Sequence, residues 1–227
     1  VLEATTLPLP ETGRGTIEVS AIEAVLEKAA TVEAVAIGPG LSTDEETVQF
    51  IRKLVGDLEK PLVMDADAVN AFAGDAAAIG SRVMPTVLTP HPGEMGRLLG
   101  MTTAEVIADR SGAAVTAAAI SKAVVLLKGY RSLVISPAAQ EAIIPTGGPG
   151  LATGGTGDVL TGIVVALLAA GHDPFEAAWA GAWIHGRAGD ILTSKIGQRS
   201  MIAGDLVDVL QSVVSSLEAL WSSGNGP

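Results

Sequence analysis

The segment PLVMDADAVNAFAGDAAAIGSRVMPTVLTPHPGE, residues 61–94, holds the pattern that decides the fold. Its two short apolar runs, 61–64 and 86–89, end at Asp or Pro, and a longer Ala-rich stretch separates them. Short apolar runs joined by helices are typical of parallel strands that are buried on both faces. The segment therefore predicts two strands of a parallel α/β sheet with a helical connection.

The same alternation continues on both sides of this segment. AVAIGPG (34–40) precedes it and AVVLLKG (123–129) follows it, and both runs end in a glycine-containing turn. Beyond Lys128 the spacing changes, because SLVISP and EAIIPT are close enough to pair as a hairpin around residues 137–140. Ligands gather beyond the carboxyl ends of parallel strands. We therefore expect the loops after the four apolar runs to share one rim with the glycine-rich stretch at 152–158.

The chain is helical in pattern from Gly154 onward. Asp173 is expected to be a helix N-cap, and Pro174 then occupies the first helical position. The periodicity predicts three successive helices, over residues 159–170, 174–192 and 204–221.

Composition and charge narrow the classes of function. The chain has 227 residues, of which 48% are hydrophobic and 17% charged, which predicts one domain with a large packed core. The absence of cysteine excludes disulfides, thiolate metal sites and a Cys nucleophile. A net charge of −11 without a Lys/Arg run argues against nucleic acid as partner. The most apolar run is too short to span a bilayer, so we expect a soluble, cytoplasmic protein without a membrane partner.

The sequence ATGGTGDVL, residues 152–160, predicts an anion site. Gly154, Gly155 and Gly157 let a ligand approach the backbone closely, and the following helix turns its free amides toward that ligand. A carboxylate buried there requires a partner. Asp158 in the first turn is therefore either a base that takes a proton from an attacking hydroxyl or only an N-cap.

TPHPGE, residues 89–94, leaves two readings for His91. A histidine between two prolines has a nearly fixed backbone, which suits a residue that holds a ligand group. The alternative is a solvated turn in which Glu94 starts the next helix. The other histidines, His172 and His185, are expected at a helix boundary and in a core helix.

KGYRS, residues 128–132, places a cation at the end of a buried strand. Lys128 can act as a point charge, and the turn after it can flank a phosphate or a ribose, or be a plain β-turn. Two acids, Asp65 and Asp67, lie two apart on what reads as an extended segment and would face the same side. For them an Asx turn is preferred over a magnesium–water role.

Together the motifs resemble a known family. The ordered set AIGPGLS, PLVMDADAVN, VLTPHPGEMGRLLG, VVLLKGYRSLVISP and the stretch from GGPGLATGGTGDVLTG to AWIHG resembles the ADP/ATP-dependent NAD(P)H-hydrate dehydratases, over residues 32–189. The resemblance implies an α/β fold, a ribokinase-like three-layer sandwich with a mainly parallel central sheet. It also implies repair of hydrated NADH or NADPH, in which hydrolysis of ADP or ATP drives the loss of water.

The resemblance also implies roles for individual residues. Asp158 would be catalytic, and Gly40, His91 and Asp158 would contact the hydrated dinucleotide. The adenine nucleotide, with Mg²⁺ shielding its phosphates, would be bound by Lys128, Gly129, Tyr130, Arg131, Ser132, Gly155, Thr156 and Gly157. The resemblance points to no metal-ligating residue and does not decide between ADP and ATP.

The chain departs from the family pattern in three places. The usual opening strand, glycine-rich loop and helix are missing, so we expect residues 1–227 to form a single ribokinase-like dehydratase domain that lacks an N-terminal segment. Ser42 stands where many members have Gly, and Gly148 where Asn is expected.

The family further implies a homotetramer and a fused or separate NAD(P)H-hydrate epimerase. The alternative function is a ribokinase-like kinase of a small alcohol of the hydroxymethylpyrimidine or hydroxyethylthiazole type, which would use Asp158 in the same way. A third reading is a nucleotide-binding or assembly module without turnover.

Overall fold

A six-stranded sheet organises the molecule, for which the computed structural model describes residues 4–222. The strands lie in the spatial order β1 to β6, so that each strand is beside its neighbour in the chain. β1–β4 are parallel to one another, and β5 pairs antiparallel with both β4 and β6. They cover Val35–Ile37 (β1), Leu62–Met64 (β2), Thr86–Leu88 (β3), Val124–Leu127 (β4), Leu133–Ile135 (β5) and Glu141–Ile143 (β6). The mainly parallel sheet and its hairpin are confirmed.

Within the described residues, ten helices connect and cover the strands. They are Ile22–Ala29 (α1), Glu45–Asp57 (α2), Ala66–Asn70 (α3), Ala76–Ile79 (α4), Pro92–Leu99 (α5), Thr103–Ala108 (α6), Arg110–Ser121 (α7), Thr156–Ala169 (α8), Pro174–Ile196 (α9) and Ala203–Ser222 (α10). Two short 3₁₀ turns lie at Val19–Ala21 and Pro149–Ala152. Among the described residues, no helix is long and apolar enough to cross a membrane.

The two faces of the sheet are both covered, which confirms the three-layer sandwich. Alternate residues point to opposite sides of a strand. In β2, Met64 joins the core formed with α1–α7, while Val63 joins the core formed with α8 and α9. α10 packs on the outside of α9 around Leu192, Leu206 and Val213.

The in-register pairing of the parallel strands positions the site. Ile37 pairs with Met64, and Met64 pairs with Leu88. Because these last strand residues are aligned, the loops that follow them leave the sheet at the same edge.

Helix boundaries differ modestly from those predicted. α8 begins at Thr156, three residues before the apolar spacing starts, and Gly155 is its N-cap with φ +84°. α9 extends to Ile196, four residues further than predicted. The predicted N-cap of α9 is confirmed, since the Asp173 carboxylate accepts hydrogen bonds from the N–H groups of Phe175 and Glu176.

Candidate active site

Asp65 lies at the centre of the site, where three loops and one helix meet. It is 2% exposed and comes directly after β2. Its carboxylate accepts hydrogen bonds from Lys128 Nζ at 2.6 Å, Thr89 Oγ1 at 2.8 Å and Thr161 Oγ1 at 3.0 Å. Lys128 follows β4, Thr89 follows β3 and Thr161 lies in α8. One buried carboxylate therefore connects the elements of the predicted rim.

The expectation for the two aspartates is therefore wrong. The segment after Asp65 is the helix α3 rather than an extended strand, and the two carboxylates bind different partners. The Asp65 side chain makes no capping hydrogen bond, which rules out the Asx turn that was preferred. Asp67 instead accepts a hydrogen bond from the backbone N–H of Ser42 at 2.8 Å.

The loop after β1 packs directly on Asp65. Gly38 has φ +132°, and a Cβ built there would lie 1.8 Å from the Asp65 carbonyl oxygen, so only glycine fits. Gly40, in the same loop, is exposed and has open space around it. Ser42 adopts φ +83°, a left-handed conformation that favours glycine and accounts for the Gly expected there.

The start of α8 approaches the Lys128 ammonium group closely. A Cβ built on Gly157 would lie 3.5 Å from Lys128 Nζ and 3.9 Å from Asp65 Oδ2. Within this turn the N–H groups of Thr156 and Asp158 donate to backbone carbonyls, whereas among the described residues that of Gly157 has no acceptor. The Gly157 N–H and the nearby ammonium group form an arrangement suited to an anion. The ammonium group is held on Asp65, and Glu94 Oε2 lies 3.8 Å from it.

Asp158 is the third residue of α8 and is exposed, so its expected burial is wrong. The N-cap alternative is wrong as well, because Gly155 holds that position and α8 has no side-chain cap. An exposed carboxylate in the first turn of a helix needs no buried partner.

His91 is exposed, as the solvated-turn alternative expects, but its side chain is the N-cap of α5. Its Nδ1 accepts hydrogen bonds from the N–H groups of Gly93 and Glu94, at 2.9 and 3.3 Å. Glu94, which is buried, completes a capping box by accepting from the His91 N–H at 2.8 Å. His91 Nε2 lies 3.2 Å from Glu94 Oε1. Both ring nitrogens therefore have partners, and α5 fixes the ring at the rim.

The 128–132 loop is closed by hydrogen bonds from within and from α7. Ser132 Oγ donates to the Gly129 carbonyl at 3.1 Å. Arg110, the first residue of α7, donates through Nη1 to the Tyr130 carbonyl at 2.7 Å and through Nη2 to the Arg131 carbonyl at 3.3 Å. A guanidinium group that holds two successive carbonyls makes this loop a preformed wall.

A cavity of about 630 Å³ opens between this loop, the start of α8 and α9. Seven of the predicted site residues line it: His91, Lys128, Gly129, Tyr130, Ser132, Thr156 and Gly157. The other four lie outside its lining: Gly40, Arg131, Gly155 and Asp158. The volume is in the range of small-molecule sites. The structure thus brings most of the predicted nucleotide residues together with His91.

His185 lines the same cavity from α9. It is 8% exposed, and its Nε2 lies 2.9 Å from the Thr156 carbonyl oxygen. Burial, together with the nearby Lys128 ammonium group, lowers the pKa of His185 to about 4. The ring is neutral at pH 7. Its expected place in a core helix is confirmed, but its position in the cavity wall was missed.

Three residues of the site were missed by sequence reasoning: Asp65, Arg110 and His185. Asp65 carried a usable signal, because a carboxylate directly after an all-apolar strand must find partners if it is buried. Arg110 and His185 carried no such signal, because each is hydrogen-bonded to site residues that lie about 20 or more positions away in the chain.

Comparison with known proteins places the chain in a family. The profile of the NAD(P)H-hydrate dehydratase family matches residues 5–212. A bifunctional NAD(P)H-hydrate repair enzyme of Moorella thermoacetica is 48% identical over 216 residues, which are 95% of this chain and 41% of that protein. The ADP-dependent (S)-NAD(P)H-hydrate dehydratase of Neisseria meningitidis is 42% identical over 185 residues, 80% of this chain and 62% of that protein.

Solved structures agree with this assignment. The ADP/ATP-dependent NAD(P)H-hydrate dehydratase of Bacillus subtilis, co-crystallised with ATP/Mg²⁺, superimposes with a TM-score of 0.72 at 32% identity. The match covers 84% of this chain and 69% of that one. The chain spans about two fifths of the length of the first bifunctional relative. On the profile match over nearly its whole length, the chain belongs to the NAD(P)H-hydrate dehydratase family.

Proposed function

We propose that this protein dehydrates hydrated NADH and NADPH back to the reduced dinucleotides and uses ADP or ATP to drive the reaction. The observation that carries the proposal is the juxtaposition of Lys128 Nζ with the glycine-rich first turn of α8 at the mouth of a preformed cavity. That geometry suits the phosphates of a nucleotide. The Neisseria and Bacillus relatives, which are named for ADP or ATP dependence, support it.

In the proposed reaction the nucleotide lies along the cavity, with its terminal phosphate at the start of α8. Gly40 and His91 contact the hydrated dinucleotide, and Asp158 takes the proton of the ring hydroxyl. The hydroxyl oxygen then bonds to the terminal phosphorus as the bond to the leaving nucleotide breaks. Phosphate departs with the C–O bond electrons as the ring nitrogen lone pair forms a C=N bond. The neighbouring carbon then loses a proton to water, the C–H electrons form the ring C=C bond, and the lone pair returns to the nitrogen.

In this proposal Mg²⁺ would be bound by the phosphates of the nucleotide rather than by a protein site. Within residues 4–222 no group of three or more His, Asp or Glu side chains is placed to hold a metal ion. The two buried acids nearest Lys128, Asp65 and Glu94, already accept hydrogen bonds. Mg²⁺ is commonly bound through substrate phosphates and water with few protein carboxylates, so the residues present fit such an ion.

We also propose residues 1–227 as a single dehydratase domain of a cytoplasmic homotetramer. The Moorella relative, which is named bifunctional, supports a functional link to a second repair activity, the epimerase, in a fused or separate chain. Exposed apolar side chains on α9 and α10, such as Trp179, Val207 and Val214, support association between copies.

The test is one incubation of the protein with hydrated NADH and either ADP or ATP. We expect the near-ultraviolet absorbance of the reduced nicotinamide to return, with one free phosphate released for each dinucleotide restored. A stable phosphorylated product without that absorbance would instead identify a kinase. Nucleotide binding without either product would identify a binding module.

A further inference from the structure

His185 is a buried polar side chain for which the proposed reaction has no use. It lies on α9 at a point where two glycines bring the helix close to its neighbours. A Cβ on Gly186 would lie 2.3 Å from Thr146 Oγ1, and one on Gly181 would lie 2.8 Å from Val164 Cγ2. α9 is therefore held tightly on both sides, and the imidazole has little freedom to move.

The hydrogen bond to Thr156 sets the tautomer of the ring. A carbonyl oxygen only accepts, so His185 Nε2 carries the hydrogen and donates to it at 2.9 Å. In the neutral ring the other nitrogen, Nδ1, is then an acceptor. The position of the proton follows from the partner group alone.

His185 Nδ1 is open to the cavity. No donor to it is found among residues 4–222, and no buried side-chain nitrogen or oxygen in that part of the chain lacks a partner. Nδ1 must therefore be accessible, and the accessible space beside this residue is the cavity that it lines. A lone pair at a fixed position in a largely apolar wall with Leu160 and Ala182 selects for a hydrogen-bond donor.

A phosphate does not meet this requirement, because its oxygens would face the lone pair of a neutral ring. The donors of an adenine nucleotide are the exocyclic amino group and the ribose hydroxyls, all in its nucleoside half. Since Lys128 and Gly157 suit the phosphates, the apolar part of the cavity is left for that half.

We propose that His185 Nδ1 accepts a hydrogen bond from an amino or hydroxyl group of the nucleoside half of the bound adenine nucleotide, and so selects among nucleotides. This inference rests on the proposed function, since it takes the nucleotide to occupy this cavity. A site that contains a fixed acceptor rejects analogues that lack the donor, because the buried lone pair then remains unpaired.

The experiment measures the affinity of the protein for ADP, IDP, 2′-deoxy-ADP and 3′-deoxy-ADP by calorimetry. IDP replaces the amino group by a carbonyl, and each deoxy analogue removes one hydroxyl, so the series identifies the donor. We expect one analogue to bind about 5- to 100-fold more weakly than ADP, the range for one unpaired buried group. If the wild-type protein bound all four nucleotides with equal affinity, the inference would be overturned without the need for a variant.

His185→Leu removes the acceptor, and the exposed His172→Leu is the matched control. We expect His185→Leu to bind ADP and the disfavoured analogue within about twofold of each other, whereas His172→Leu keeps the wild-type ratio. A His185→Leu protein that still discriminates would overturn the inference. Restored NADH absorbance without discrimination would leave the proposed function standing and sink only this inference, whereas failure of all nucleotides to bind would overturn both.

Discussion

Asp65 sets the stability of the site at the residue scale, because its one carboxylate satisfies donors from Lys128, Thr89 and Thr161. We expect Asp65→Asn to lower the free energy of unfolding by about 3 kcal/mol, since the partly buried ammonium group of Lys128 loses its countercharge. Lys128→Met leaves Asp65 uncompensated in the same way. The double variant should lose less than the two single losses added, by about 1–3 kcal/mol.

Urea unfolding of all four proteins checks this coupling. The exposed pair of Lys53 and Asp57, 2.7 Å apart, provides the control, and Lys53→Met should change stability by less than about 0.5 kcal/mol. Simple addition of the Asp65 and Lys128 losses would show that the ion pair does not tie the loops together.

For Asp158 we expect the opposite result, a loss of activity without a loss of stability. It is exposed and caps nothing, so Asp158→Asn should leave thermal unfolding almost unchanged. It cannot take up a proton, so turnover of hydrated NADH should fall by about 100- to 10,000-fold. Nucleotide affinity should hold or rise, because a negative charge beside the phosphates is removed.

Asp173→Ala is the matched comparison, since Asp173 is a true N-cap remote from the cavity. That variant should lose about 1 kcal/mol of stability and keep its turnover. Near-normal turnover by Asp158→Asn would remove Asp158 from the proposed reaction.

His185 makes stability depend on pH. Its pKa is lowered from 6.5 to about 4 in the folded protein, so between these values the unfolded chain binds a proton that the folded protein does not. Stability should therefore fall as pH drops from 6.5 to about 4, by up to about 3 kcal/mol. His185→Gln, which keeps a donor for the Thr156 carbonyl, lacks this dependence. The difference between the two urea-unfolding curves against pH isolates it, and parallel curves would contradict the burial of a neutral ring.

At the scale of elements, the loop after β1 depends on one glycine. Gly38→Ala would place a methyl group inside the Asp65 carbonyl at a backbone φ of +132°. We expect a loss of more than about 3 kcal/mol or failure to fold. Gly74→Ala, at φ +69° in open space, should cost only about 1–2 kcal/mol. Equal losses in thermal unfolding would show that the loop can yield.

The elements also show which features were predictable from sequence. Strands β2 and β4 were, because both faces are buried and every residue is apolar. The exact first residue of α8 was not, because Thr156 and Gly157 are poor helix formers and the N-cap, Gly155, has a left-handed conformation rather than a side chain that marks a cap. Periodicity finds the buried face of a helix rather than its first turn.

At the scale of the whole molecule, contacts between distant parts of the chain decide the site. Thr161 and Asp65 are 96 residues apart, and His185 and Thr156 are 29 apart. Motif spacing placed Lys128 and the glycines on one rim, because topology brings strand ends together. It did not show that Asp65 holds Lys128, since no local pattern records such a partner.

The net charge of the chain predicts how nucleotide affinity depends on salt concentration. The chain carries a net charge of −11, and the Lys128 ammonium group beside the cavity is already paired with Asp65. ADP should thus be held chiefly by backbone N–H groups at the start of α8 and by the 128–132 loop, with little long-range attraction. Raising salt from about 50 to about 500 mM should change ADP affinity less than about threefold, because screening acts on exposed charges and here also weakens the repulsion of an anionic ligand. Calorimetric titrations across that range provide the measurement, and a steep fall in affinity would show that exposed cations rather than backbone N–H groups hold the nucleotide.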